Sequence, residues 1–151
     1  MAAQDDADQR VDAFANACQG RGLRVTPQRA EVYRVVVLAT DHPSVDAVYR
    51  RVRARLPNVS LDTVYRTLGT LTDHGLIRRV EVLDDRARYD ANLVRHHHCV
   101  CVRCQSVADV VWPELDELGV PAAAGQWGTV DSVCAEIRGV CHACREAGRR
   151  A

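Results

Sequence analysis

Residues 96–104 read His-His-His-Cys-Val-Cys-Val-Arg-Cys, three imidazoles and three thiols in nine positions. Both side chains ligate borderline metals, and thiolates favour zinc. Read as a β-strand, the stretch alternates its side chains between two faces. His96, His98 and Val100 then point one way, and His97, Cys99 and Cys101 the other, so one strand can serve two metal sites. Cys101-x-x-Cys104 has a counterpart in Cys141-x-x-Cys144, with 36 residues between the two pairs. Four thiolates in two such pairs suit a closed tetrahedral Zn(II) site, which would pin the last helix to the first strand pair. The bland alternative is two unrelated reduced pairs. A catalytic dithiol needs only one pair and a βαβ setting. Seven cysteines, an odd count, argue against a disulfide framework.

On the imidazole face, His96 and His98 are candidates to share a second ion. Hard and borderline ions also take carboxylates. Asp109 lies on the expected neighbouring strand, and Asp90 ends the preceding hairpin. His42 is placed to bridge two domains, although a His before Pro is ordinarily a loop residue. His74 and His142 read as surface residues, His74 in a last helical turn where a cation is favourable.

The elements that must carry these residues follow in order. Val11 to Cys18 reads as a short helix, with Arg21 and Arg24 after it available to DNA phosphates. Thr26 caps a helix that starts at Pro27. Val32, Val35, Val36 and Ala39 form its apolar face, and His42-Pro43 ends it. Ser44 caps a second helix stopped by Pro57. Ser60 caps a third, with Val64, Leu68 and Leu71 facing inward and Gly75 closing it. Ile77 to Leu83 reads as a strand, Asp84-Asp85 as a turn and Ala87 to Asp90 as the returning strand. Three helices and a hairpin are the order of a winged helix-turn-helix, whose third helix enters the major groove. Arg66 would read guanine and Tyr65 a thymine methyl. Their bland alternatives are a solvated face and the edge of the core. After a linker at 91–95 come strands 96–102 and 106–112, a helix from Pro113 running as far as Ala124, strand 129–138 and a final helix, 141–147.

Composition sets the frame. The 151 residues are 47% hydrophobic, enough for a core. No apolar run reaches about 18 residues, so no membrane-spanning helix is expected. The start, MAAQDDADQR, lacks a signal-peptide pattern, which gives a cytoplasmic expectation. Net charge is zero, yet residues 21–80 hold 11 Arg against 5 acidic residues. This is the footprint of a nucleic-acid surface. A zinc deaminase would need His-x-Glu and Pro-Cys-x-x-Cys, and the chain has neither. A zinc hydrolase would also need a Glu near the histidine cluster, so an enzyme is not expected. A purely structural or storage module leaves the Arg-rich helices unexplained.

Several motifs together resemble the ferric uptake regulator (Fur) superfamily: Thr26-Pro-Gln-Arg29, His42-Pro-Ser-Val-Asp-Ala-Val-Tyr49, Thr63-Val-Tyr-Arg-Thr-Leu68, His74-Gly-Leu76, the His96 cluster and both cysteine pairs. The resemblance runs from about residue 10 to 147. It implies an α+β protein, with an N-terminal winged helix-turn-helix followed by a small α/β dimerisation domain. The implied domains are 1–90 for DNA binding, a hinge at 91–95, and 96–151 for dimerisation and metal binding. It implies structural Zn(II) at Cys101, Cys104, Cys141 and Cys144. It also implies a homodimer on pseudo-palindromic double-stranded operator DNA, with contacts from Arg24, Thr26, Gln28, Arg29, Thr63, Tyr65 and Arg66.

The regulatory residues resemble the peroxide-sensing branch, which uses three His and two Asp. His42, Asp90, His96, His98 and Asp109 match that set, for Fe(II) or Mn(II). In that branch peroxide oxidises a ligand imidazole, here His42 or His96, to 2-oxo-histidine, and the repressor leaves DNA. Departures exist. His97, Cys99 and Cys134 lie outside the usual ligands, and Arg66 stands where that branch more often has Asn. Strand 129–138 holds no His, so the further metal site of some members is absent or altered. The alternative is an iron- or zinc-responsive repressor without peroxide sensing.

Overall fold

Three hydroxyls set the helix starts of the first half. Thr26, Ser44 and Ser60 stand in extended backbone. They accept the amide N–H three residues on, from Arg29 at 3.2 Å, Ala47 at 3.3 Å and Thr63 at 3.1 Å. Each such cap contributes about 1 kcal/mol. The computed structural model describes residues 2–80 and 87–148. In chain order its elements are α1 (Ala2–Asp12), α2 (Phe14–Gln19), α3 (Pro27–Val37), α4 (Val45–Arg53), α5 (Leu61–Asp73), β1 (Arg78–Val80), β2 (Arg88–Asp90), β3 (His97–Cys101), β4 (Val107–Val110), α6 (Pro113–Glu117), α7 (Ala122–Trp127), β5 (Glu136–Gly139) and α8 (His142–Ala147). They form two compact units, Met1–Leu93 and Val94–Ala151. Among the described residues no helix is long and apolar enough to cross a membrane.

In the first unit α3, α4 and α5 pack on one another. Val32, Val36, Val48, Val52, Val64, Leu68 and Leu71 are buried between them. Phe14 of α2 stacks on Tyr33 of α3, ring centroids 4.5 Å apart. Gly75, at φ +63°, ends α5 in a left-handed turn that lets the Leu76 amide reach the Leu71 carbonyl at 2.9 Å. β1 and β2 then pair antiparallel, Arg79 opposite Tyr89. This is the winged helix-turn-helix order. The rest of the first strand, 81–83, and the expected turn at Asp84-Asp85 lie outside the described residues. The helix expected over Val11–Cys18 is instead two, α1 and α2. α1 is mostly polar, with Ala7 and Val11 as its contacts with the core, so its start carried no apolar period.

The core predicts the cost of opening it. Leu68 is fully buried at the centre of α5. Leu68→Ala should lower unfolding free energy by about 2–5 kcal/mol. Urea unfolding followed by helical circular dichroism measures this, and a loss under about 1 kcal/mol would contradict the packing.

The second unit is a three-stranded sheet in the order β4-β3-β5, with β3 central. β4 is antiparallel to β3 and β5 is parallel to it. The helix expected from Pro113 toward Ala124 is broken in two. Gly119 takes φ +67° and Pro121 stands at the N-cap of α7. The strand expected over 129–138 forms only at Glu136–Gly139, because β3 offers it just the four positions His98–Cys101 as partners.

Candidate metal centres

The zinc ligands predicted from spacing come together within the second unit. The turn after β3 places Gln105 at φ +59°, with its amide on the Cys101 carbonyl at 2.9 Å. That turn sets Cys104 beside Cys101. The parallel register puts Gly139 opposite Cys101, which delivers Cys141 and α8 to the same spot. One sulfur from each of Cys101, Cys104, Cys141 and Cys144 lies within 4.8 Å of the others. Cys104 Sγ and Cys141 Sγ are 3.7 Å apart. Zinc–sulfur bonds near 2.3 Å in a tetrahedron separate sulfurs by about 3.8 Å, so the cradle fits Zn(II). Its electrostatics agree. Backbone N–H groups of Cys104, then Cys141, hold the Cys101 thiol down at about 6. Hydrogen bonds to the Cys104 and Cys141 sulfurs push Cys144 up to about 12. Four sulfurs this close cannot all ionise unless a cation sits among them.

The imidazole and carboxylate groups gather within each unit. In the second, β3–β4 register sets Asp109 directly opposite His98, on one face of the pair. His96 Nε2 lies 3.0 Å from His98 Nε2. Asp109 Oδ1 is 3.5 Å from the first ring and 3.8 Å from the second. Neighbouring donors on an octahedral ion with bonds near 2.1 Å stand about 3 Å apart, so these three atoms fit one ion. The His96 and His98 rings are buried. In the first unit, the Tyr89 amide donates to the Pro43 carbonyl at 3.1 Å, and Ser44 bridges Arg88. That backbone link brings His42 Nε2 to 4.0 Å from Asp90 Oδ2, both buried. His42 holds φ +45°, uncommon for a residue with a side chain and a conformation that the surrounding contacts must enforce.

The expected DNA-reading residues also take definite places. Tyr65 is 59% exposed on α5. Arg66 is exposed one residue on, 3.9 Å from Asp62. Gln28 and Thr63 line one cleft of about 240 Å³ with Pro57 and Asn58. Arg24 is exposed, and its carbonyl accepts Arg29 Nη1 at 2.7 Å. Thr26 is occupied as a helix cap.

A profile of the ferric uptake regulator family matches residues 20–131. The chain belongs to the ferric uptake regulator family. It is a metal-responsive regulator of that family and not an enzyme. The peroxide-responsive repressor PerR of Staphylococcus epidermidis is 30% identical over 144 residues, 95% of this chain and 96% of that one. A solved zinc-bound manganese uptake regulator is 29% identical, with TM-score 0.68 over 85% of this chain and 98% of its own. The solved Campylobacter jejuni peroxide stress regulator is 25% identical, with TM-score 0.67 over 88% and 97%.

Some residues of this family member escaped the sequence reading. Asp116 of α6 lies 3.2 Å from His97 and 2.6 Å from Arg95. Nothing in its spacing announced this, since α6 reaches β3 only through tertiary packing. Cys134 stands 3.6 Å from His98 Nδ1. Cys99 lines an apolar groove with Ala108, Ile137 and Val140, a packing position rather than a ligand position. His74 caps the end of α5 through Nδ1 and the Thr70 carbonyl, 2.8 Å apart. His142 lies 3.0 Å from Glu146 at the surface.

Proposed function

We propose that this regulator is a dimeric, cytoplasmic repressor that senses peroxide through an Fe(II) or Mn(II) ion. Its ligands are His42 and Asp90 from the first unit and His96, His98 and Asp109 from the second. Zn(II) on the four cysteines is structural. The observation that carries the reading is the cross-strand pairing of His98 with Asp109 beside His96, an imidazole and carboxylate set suited to a borderline ion. The likeness to peroxide-responsive repressors over nearly the whole chain supports the finer reading.

An ion held by both sets would close the hinge at 91–95 and fix the spacing of two α5 helices in a dimer. Half-sites one helical turn apart, roughly 34–36 Å, then become readable. DNA contacts fall to Arg24, Thr26, Gln28, Arg29, Thr63, Tyr65 and Arg66. Val111, Leu118 and Trp127, each more than 70% exposed on a single chain, supply apolar surface for the second copy. When bound, Fe(II) would supply the redox chemistry that opens the O–O bond of peroxide. The net change would insert one peroxide oxygen into a ligand imidazole, which gives up the two electrons, while the other oxygen leaves as water. The imidazole lost as a ligand is that of His42 or His96. The metal's preference for the closed state is then withdrawn and the open population returns.

The test is mass spectrometry of the Fe(II)-loaded protein after one equivalent of peroxide, with DNA binding measured on the same sample. One added oxygen on His42 or His96, together with lost binding, is expected. Unmodified histidines with unchanged binding would leave a plain metal-responsive repressor. A zinc-responsive reading has its own support in the Cys134 sulfur beside His98. Titrating DNA binding with buffered Zn(II), Mn(II) and Fe(II) separates the two.

A further inference from the structure

The third histidine of the run has a different chemistry from its neighbours. His97 is fully buried. Its Nδ1 accepts the Ala135 amide N–H at 2.9 Å. An amide nitrogen can only donate, so Nδ1 presents its lone pair and the ring proton sits on Nε2. Nε2 donates to Asp116 Oδ1 at 3.2 Å. The same oxygen accepts Arg95 Nε at 2.6 Å. The Trp112 indole, edge-on to the ring with centroids 6.4 Å apart, covers it further. Both ring nitrogens are therefore spent on protein partners, and neither offers a lone pair to a metal.

We propose that His97, with Asp116 and Arg95, is a positioning set that orients His96 and His98 for the regulatory ion and is not itself a ligand. Side chains alternate along β3, so a ring anchored on one face fixes the aim of its two neighbours on the other. Ala135 holds this stretch from both sides, since its carbonyl also accepts the His98 amide at 3.1 Å. The Arg95–Asp116 bond ties Arg95, the residue before His96, to α6. Ligand histidines are commonly oriented by a partner on their second ring nitrogen. Here the orientation also comes through the backbone, from the residue between them. The proposal rests on the reading of His96 and His98 as ligands.

The test uses the full-length, zinc-loaded protein and Mn(II) as probe. Asp116→Asn keeps the size of a partly exposed side chain and removes its charge. His97→Asn keeps an acceptor for the Ala135 amide but falls short of Asp116. Each should weaken Mn(II) binding by about 10–100-fold, with zinc content and circular dichroism as in the wild type. With Zn(II) added as a diamagnetic occupant, long-range proton–nitrogen spectra should shift the His96 and His98 ring nitrogens and leave His97 in its Nε2–H form. Unchanged Mn(II) affinity in both variants, or metal-shifted His97 nitrogens, would overturn the proposal. His96→Ala separates the two layers. If it binds Mn(II) as the wild type does, the ligand reading itself fails. If it loses Mn(II) while Asp116→Asn and His97→Asn both keep it, only the positioning role fails.

Discussion

Cys141→Ser is expected to leave the protein without its zinc and its second unit unfolded. Among the described residues, the buried apolar side chains of that unit are Val100, Cys101 and Val107. So small a core cannot offset the conformational entropy of ordering 94–148. A structural Zn(II) site supplies an apparent ~10–16 kcal/mol, comparable to the whole stability of a domain. The first unit has its own core and should keep its helical signal. Zinc per chain, near-ultraviolet circular dichroism and gel filtration measure the outcome. A variant with wild-type zinc content and an unchanged melting curve would refute the four-thiolate assignment. Each thiol must also give up its proton to bind, so zinc retention should weaken as pH falls.

His42→Ala should do the opposite, keeping zinc and losing control. The side chain sits on a backbone held at φ +45°, next to Asp90, in the unit that does not contain the four cysteines. Disturbing a residue behind a metal ligand already costs 10–100-fold in affinity, so deleting a ligand should cost at least about 100-fold. Metal-dependent DNA binding then disappears at metal concentrations that saturate the wild type. A mobility shift with Mn(II) reads this directly. Full metal-dependent binding by the variant would remove His42 from the ligand set.

The contrast between these two sites explains what could be read in advance. The cysteines declared themselves because two ligands three residues apart share one turn, a local property. The caps at Thr26, Ser44 and Ser60 were legible for the same reason. Asp109 was half legible, since a hairpin partner of His98 must lie a short turn away. His42 and Asp90 are joined by the Pro43 carbonyl and the Tyr89 amide, a contact that no periodicity encodes. Each was a candidate on its own residues, and the family resemblance joined them in one ligand set. Asp116 was illegible because its partnership with His97 depends on where a five-residue helix lands. The break between α6 and α7 was written in Gly119 and Pro121, and the apolar residues around them masked it.

The parallel pairing of β3 with β5 imposes an order on synthesis. α3, α4 and α5 make mostly local contacts and can fold as soon as they leave the ribosome. β3 cannot complete its sheet so early: β4 follows at once, but its other partner is Glu136–Gly139, and half of the thiol cradle arrives only with Cys141 and Cys144. Residues 94–144 take about 3–10 s to add at ~5–20 residues per second. For that interval a nascent chain carries a folded DNA-reading half with no zinc-bound partner domain attached. Metal control is therefore acquired last, and a chain cut short before residue 141 would carry the reading helix without the means to regulate it.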